Sequence, residues 1–166
     1  FISTGNEVPF WMTDIGDKEI ATVAETMAAK SFSMGAVTAE MEAEIAQQLD
    51  VPYVLCTTSG SMALMMGLMA VGIGPGDEVI VPTRTFVATA HAASIIGATV
   101  VLVDSQSESP NMDVTEAAKK ITPRTKAIMP VHLNGRACDM AAITKLAKKH
   151  GLFVIEDACQ GIFSRG

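Results

Sequence analysis

Residues 74–82 read Gly-Pro-Gly-Asp-Glu-Val-Ile-Val-Pro, and this stretch decides the fold of the chain. Gly and Pro favour a turn, and the short apolar run Glu78–Val81 that follows is typical of a strand buried on both faces. Apolar segments of helical length lie on either side, at Gly60–Val71 and Thr85–Ile96. A loop, a strand and two flanking helices therefore form the smallest unit of the predicted fold.

The same alternation continues through the rest of the chain. The further predicted strands are Tyr53–Cys56, Thr99–Val103, Ala127–Val131 and Leu152–Ile155, and the further helices are Val114–Lys120 and Met140–His150. Strands that are apolar throughout and are separated by helices predict an α/β fold, with a mostly parallel sheet and helices on both of its faces. Asp113 and Asp139 precede helices as predicted N-caps, and Gly151 follows the last helix as a stop.

The first fifty residues have a different pattern. Apolar residues at helical spacing predict two amphipathic helices, Asp17–Lys30 and Ala36–Leu49, and no strand. We therefore expect an N-terminal helical extension over residues 1–50 and one α/β domain over residues 51–166.

Composition narrows the classes of function. Apolar residues make up 49% of the chain and charged residues 18%, which is typical of a folded domain. A net charge of −6 without a basic cluster argues against a nucleic-acid partner.

Three scattered cysteines predict reduced thiols and a cytoplasmic protein. The longest apolar run, Met62–Ile73, is too short to span a membrane, and residues 1–10 lack the features of a secretory signal.

Three segments are predicted at the carboxyl ends of the strands, where open α/β sheets bind ligands. In the first, Thr57–Ser61, the free N–H groups of a helix start and the small Gly60 predict an anion site. An ordinary Ser/Thr-capped helix explains this segment equally well. In the second, Thr83–Phe86, the ring of Phe86 is placed to stack on a flat cofactor, although a core position is the commoner explanation for a single Phe.

The third segment places Glu156, Asp157 and Gln160 directly after an apolar strand. A carboxylate is costly to bury there unless it has a partner, and the protonated ring nitrogen of a cofactor is such a partner. A helix cap or a metal ligand is an equally good explanation of this segment alone, although we predict no metal site. A phosphate site, a stacking aromatic and a carboxylate together match pyridoxal 5'-phosphate (PLP), except for its lysine.

Six ordered blocks of the chain resemble the DegT/DnrJ/EryC1/StrS family of PLP-dependent sugar aminotransferases. The resemblance covers essentially the whole chain. The blocks are Thr58-Ser59-Gly60-Ser61-Met62-Ala63-Leu64, residues 74–82, Thr85-Phe86-Val87-Ala88-Thr89-Ala90, residues 121–128, Pro130-Val131-His132-Leu133-Asn134-Gly135 and residues 154–160.

The resemblance implies the large domain of a fold-type I PLP enzyme, which is normally a homodimer. It implies that Gly60 and Ser61 hold the cofactor phosphate, that Phe86 stacks on the ring, that Asp157 pairs with the ring nitrogen and that Gln160 lies near the 3-hydroxyl. Family members move an amino group, usually from glutamate, to a keto group of a nucleotide-linked sugar in polysaccharide biosynthesis.

The family's Schiff-base lysine would lie beyond Gly166, as would the small C-terminal domain. We therefore expect an incomplete large domain that does not transaminate by itself. One alternative is a non-catalytic relative that acts as an interaction subunit, and another is a PLP-dependent sugar dehydratase. A dinucleotide-binding module is disfavoured because the chain has no G-x-G-x-x-G fingerprint.

Overall fold

A computed structural model describes residues 13–164 of the chain. The chain divides between Leu55 and Cys56 into two compact units. Residues 1–10, which we expect to carry no secretory signal, lie outside the described residues. That the second unit is an incomplete domain stays a prediction.

The first unit contains the two predicted helices, α1 (Asp17–Ala28) and α2 (Ala36–Leu49). Helix α1 begins with a capping interaction, in which the backbone N–H of Gly16 donates to the Glu19 carboxylate at 2.8 Å. It ends two residues before the predicted Lys30, whose φ of 55° is left-handed. No residue of either helix is buried, and the apolar stripes that predicted them are exposed in α1 and partly exposed in α2 on this unit.

The second unit is built on a four-stranded sheet with the strand order β2-β1-β3-β4, and every neighbouring pair of strands is parallel. This confirms the parallel sheet predicted from the continuous apolar runs. The strands are β1 (Glu78–Pro82), β2 (Thr99–Val103), β3 (Thr125–Ile128) and β4 (Phe153–Val154).

Helices cover both faces of this sheet, as the sequence predicts. Val79 and Val81 of β1 belong to one buried cluster, and Ile80 between them belongs to the other, because successive strand side chains point to opposite faces. Residues of α3 and α4 complete the first cluster, and residues of α5 and α6 complete the second. The helices are α3 (Gly60–Ala70), α4 (Val87–Ile95), α5 (Val114–Lys119) and α6 (Met140–His150).

The predicted caps Asp113 and Asp139 and the predicted stop at Gly151 are confirmed, whereas α3, α4 and α5 are one to three residues shorter than predicted. The Asp113 carboxylate accepts from the N–H of Thr115 at 2.7 Å, and the Asp139 carboxylate accepts from the N–H of Ala142 at 2.9 Å. Gly151 ends α6 with a left-handed φ of 66°, a conformation that favours glycine. Short polar side chains and one glycine therefore define where these helices start and stop.

Two predicted strands need correction. Tyr53–Cys56 is not a strand, because a strand requires a neighbour's hydrogen bonds and nothing within residues 13–164 pairs with it; Tyr53 is 89% exposed. The strand predicted at Ala127–Val131 ends at Ile128, since Pro130 has no N–H to donate to a ladder. Val131 then forms a single parallel bridge with Asp157.

Candidate active site

A hollow of about 290 Å³ lies at the carboxyl ends of the strands in the second unit. All five residues that the sequence and the family resemblance single out line it: Gly60, Ser61, Phe86, Asp157 and Gln160. Their individual roles stay predictions, but the structure brings them around one space. The lining also includes residues that sequence reasoning missed: Leu64, Thr85, Ala88, Val131 and Cys159.

The backbone of Asp157 is held by the chain that follows β3. Its N–H donates to the carbonyl of Pro130 at 2.9 Å, and its carbonyl accepts from the N–H of His132 at 3.1 Å. These two bonds continue the β3–β4 pairing past the ends of both strands. The Asp157 carboxylate therefore sits on the rigid sheet, and the residue is only 5% exposed.

Two uncharged donors bind the Asp157 carboxylate. The hydroxyl of Thr89 donates to Oδ2 at 2.6 Å, and the N–H of Cys159 donates to Oδ1 at 3.2 Å. Thr89 lies on α4 and is fully buried, with the Thr85 hydroxyl 2.6 Å away. Sequence reasoning missed both threonines. Thr89 follows Phe86 by one helical turn, and this spacing places the two residues on the same side of α4, which could have indicated that Thr89 lies near the site.

Asp157 forms no ion pair within the described part of the chain. The other buried carboxylate, Glu78 at the opposite end of the sheet, differs in this respect because Arg124 donates to it from Nε at 2.9 Å. Hydrogen bonds from Thr122 and then from Arg124 hold the pKa of Glu78 below its usual range. A buried carboxylate without a cation is costly, so Asp157 is suited to a positively charged group that enters the hollow.

The start of α3 lines one end of the hollow. Ser59 caps the helix by accepting from the N–H of Met62 at 3.2 Å, which leaves the N–H groups of Gly60 and Ser61 without intrahelical partners. Within residues 13–164, the Ser61 hydroxyl also has no protein partner. A Cβ on Gly60 would lie 3.1 Å from the Cys159 sulfur, so glycine permits this close approach. Free amides at a helix start bind phosphate groups.

Phe86 occupies the edge of the hollow rather than the core. It precedes α4 as the N-cap residue, and its side chain is 68% exposed. Phe86 is therefore not a core residue, although a core position is the commoner one for a single Phe. An aromatic ring that lines a hollow and is largely exposed is available to stack on a flat ligand.

The side-chain amide of Gln160 has a defined orientation. Its oxygen Oε1 accepts from the backbone N–H of Asn134 at 2.8 Å. Because an N–H can only donate, the amide atom that faces Asn134 is the oxygen, and the nitrogen is on the other side. Asn134 has a left-handed φ of 56° within the short helical turn Leu133–Gly135. With its oxygen directed at Asn134, the amide nitrogen of Gln160 is the end left to donate to a ligand in the hollow.

The remaining ionisable groups near the hollow do not compete for a cation. Partial loss of hydration, and then the adjacent Asp157 carboxylate, raise the pKa of the Cys159 thiol, which keeps it neutral. Glu156 is bound elsewhere, since Nε2 of His132 lies 3.0 Å from its carboxylate. Nδ1 of His132 accepts from the N–H of Cys138, which leaves Nε2 to donate to Glu156. Of the two adjacent acids, only Asp157 lines the hollow.

No group of three or more His, Cys, Asp and Glu side chains within residues 13–164 is placed to hold a metal ion. None of the helices that the structure describes is long and apolar enough to cross a membrane.

Comparison with known families agrees with this geometry. The model of the DegT/DnrJ/EryC1/StrS aminotransferase family matches residues 13–165. The chain belongs to this family. Its parallel sheet with helices on both faces is the arrangement of the fold-type I PLP-dependent aminotransferases, as the sequence predicts.

Named relatives in the family are aminotransferases of sugars. The chain is 46% identical over 130 residues to GDP-perosamine synthase from Caulobacter vibrioides, covering 78% of this chain and 35% of that protein. It is 47% identical over 146 residues to UDP-N-acetyl-3-dehydro-alpha-D-glucosamine 3-aminotransferase from Acidithiobacillus ferrooxidans, covering 88% of this chain and 40% of that protein.

A solved structure of the same fold contains a cofactor. NtdA from Bacillus subtilis, with bound cofactor PMP, superposes with a TM-score of 0.84 at 40% identity, covering 86% of this chain and 33% of that one. The chain thus spans well under half the length of each of these members of the DegT/DnrJ/EryC1/StrS family.

Proposed function

We propose that this chain forms the cofactor-binding part of a PLP-dependent aminotransferase that moves an amino group from glutamate to a keto group of a nucleotide-linked sugar. The observation that carries the proposal is Asp157, a buried carboxylate without a cationic partner within the described residues, facing a hollow lined by an exposed ring and a helix start. The named relatives support the sugar as substrate.

The lining residues match the parts of PLP one by one. The amides of Gly60 and Ser61 suit its phosphate, and the face of Phe86 suits its flat ring. Asp157 suits a protonated ring nitrogen, because that nitrogen would supply the cationic partner that the carboxylate lacks within the described residues. The N–H groups of Gln160 suit the oxygen at ring position 3. No lining residue opposes any part of the cofactor, so we conclude that the site fits it.

PLP, when bound, supplies an electron sink for the carbon that carries the transferred amino group. The residues of this chain have supporting roles. Asp157 would hold a proton on the ring nitrogen, which sustains the sink, and the α3 start would anchor the phosphate. Gln160 would donate to the 3-oxygen, and Phe86 would stack on the ring.

Within the described residues, no lysine lines the hollow. We propose that sequence beyond these 166 residues supplies the Schiff-base lysine and that this chain alone does not transaminate. We also propose a cytoplasmic homodimer. The family resemblance supports the homodimer, and three scattered cysteines without a C-x-x-C pair support a reducing compartment.

The test uses the protein expressed from its complete gene. With PLP and glutamate, we expect formation of 2-oxoglutarate and of pyridoxamine 5'-phosphate (PMP), followed spectroscopically. Asp157→Asn should slow this half-reaction on the order of 10²-fold or more, because the ring nitrogen loses its carboxylate. Glu156→Gln is the matched control, since this acid faces His132 rather than the hollow.

Two results would contradict the proposal. One is an Asp157→Asn variant that turns over at the wild-type rate. The other is a wild-type protein from the complete gene that binds PLP but never accepts an amino group, which would favour a non-catalytic relative. A protein that releases water from its sugar substrate without consuming glutamate would instead be a PLP-dependent dehydratase.

A further inference from the structure

The Thr89 hydroxyl donates a side-chain hydrogen bond to the Asp157 carboxylate. Its Oγ1 lies 2.6 Å from Oδ2, and both residues are buried, Thr89 completely. The contact joins α4 to the segment after β4, across 68 positions of sequence. A bond of this length between a hydroxyl and a carboxylate is in the range of charge-assisted hydrogen bonds.

The single hydroxyl proton of Thr89 has three acceptors within reach. These are the Asp157 carboxylate at 2.6 Å, the Thr85 hydroxyl at 2.6 Å and the Phe86 carbonyl at 3.1 Å. The carboxylate is the strongest acceptor because it is charged and buried. Thr89 therefore donates to Asp157, and the Thr85 hydroxyl donates in turn to the oxygen of Thr89. The two threonines form a directed chain that ends at the carboxylate.

We propose that Thr89 is a positioning residue for the cofactor's ring nitrogen, acting through Asp157; this inference rests on the proposed function. Its hydroxyl fixes the rotation of the carboxylate and occupies one lone pair of Oδ2. A hydrogen bond donated to a carboxylate favours its charged form. With this hydroxyl directed at Oδ2, the proton shared with a bound cofactor would stay on the ring nitrogen rather than move to the carboxyl group.

A purely structural role for Thr89 makes a different prediction. Thr89 lies in the first turn of α4, where its N–H donates to the Phe86 carbonyl at 3.1 Å. If its hydroxyl served only to complete this turn, removing the hydroxyl would lower the stability of the protein and leave the protonation of a bound ring unchanged. The protonation state of the ring nitrogen therefore separates the two roles.

The experiment reads that state directly. The protein from the complete gene is loaded with PMP carrying ¹⁵N in the ring; PMP has no aldehyde, so its binding needs no lysine. The ¹⁵N chemical shift reports ring protonation as pH is varied. We expect Thr89→Val to lower the midpoint of ring deprotonation by about one pH unit or more. Thr89→Ser should restore the wild-type midpoint, because it keeps the hydroxyl.

Thr125→Val is the matched control. Thr125 is also a buried threonine that donates to a buried carboxylate, but that carboxylate is Glu78 at the opposite end of the sheet, at 3.2 Å. This variant should lower stability and leave the midpoint unchanged. Thr89→Cys keeps a weak donor of similar size and should give an intermediate midpoint, which provides a second measurement if Thr89→Val does not fold.

The outcomes separate this inference from the proposed function. Midpoints for Thr89→Val and Thr89→Cys equal to that of the wild type would overturn the role of Thr89 and leave the proposed function intact. A wild-type protein that binds no PMP, or binds it with an unprotonated ring, would overturn the proposed function itself.

Discussion

The side-chain oxygen of Gln160 lies 2.8 Å from the backbone N–H of Asn134, and this bond decides which end of the amide can face the hollow. Because the N–H can only donate, the Gln160 oxygen is engaged and its nitrogen is the group left for a ligand. Gln160→Glu replaces that donor with a negatively charged acceptor. We expect it to weaken PMP binding about tenfold, since the hydrogen bond that we propose to the ring oxygen becomes a repulsion.

Fluorescence titration with PMP measures this change. Gln47→Glu, on the exposed surface of α2, makes the same chemical change in the other unit and should leave the affinity unchanged. Equal affinities for Gln160→Glu and wild type would show that Gln160 does not donate to the cofactor.

Asn134 itself is held in a left-handed conformation, with φ of 56°. A β-branched residue is strained there, so Asn134→Val should destabilise the protein by about 1–2 kcal/mol. Asn134→Gly relieves the strain and should retain most of the stability. Thermal unfolding compares the two variants, and a Val variant as stable as the Gly variant would mean that the conformation is not required.

Gly60 lies close to the Cys159 side chain. The added Cβ of Gly60→Ala would lie 3.1 Å from the Cys159 sulfur, so the sulfur or the start of α3 must give by a few tenths of an ångström. We expect PMP affinity to fall about tenfold, because the displacement disturbs the amides that we propose to bind the phosphate. The double variant with Cys159→Ala removes the sulfur and should recover affinity. Failure of the second substitution to help would rule out this steric cause.

The pH dependence of stability should show the pairing of Glu78. Hydrogen bonds from Thr122 and Arg124 lower the pKa of Glu78 in the folded protein. This pKa therefore lies below that of a glutamate in the unfolded chain, which is about 4.3. The stabilisation is therefore fully present above about pH 4.3 and is lost as the pH falls through the folded pKa. Urea unfolding of wild type and Glu78→Gln should show a difference at neutral pH that shrinks in acid.

Glu116→Gln provides the control for this pH series. Glu116 pairs with Lys119 on an exposed helix face, where water screens the interaction, so its loss should change stability little at any pH. A stability difference for Glu78→Gln that grows in acid would contradict the direction of the pKa change.

Much of the fold could be predicted from local pattern. The bounds of α2, α6 and β2 agree with the sequence prediction, because each segment has one clear periodicity and capping or turn residues at its ends. Tyr53–Cys56 shows the limit of that reasoning. An apolar run indicates a tendency to be extended, but pairing depends on a neighbour that local sequence does not reveal.

The candidate site could be predicted only in part, for a similar reason. Gly60, Phe86 and Asp157 stand out because each follows a predicted strand. Thr89 and Asn134 reach the site through tertiary contacts, one across 68 positions and the other across 26. Pairings between distant segments are set by the packing of α4 and of the turn after β3, and no local pattern encodes them.

The uncharged surroundings of Asp157 have a consequence for the life of the protein in a cell. A buried carboxylate without a counter-charge lowers the stability of the native state, and a cationic ligand that binds the native state raises it by mass action. Proteolysis of the empty form should therefore be faster, and the amount of this protein should follow the supply of vitamin B6.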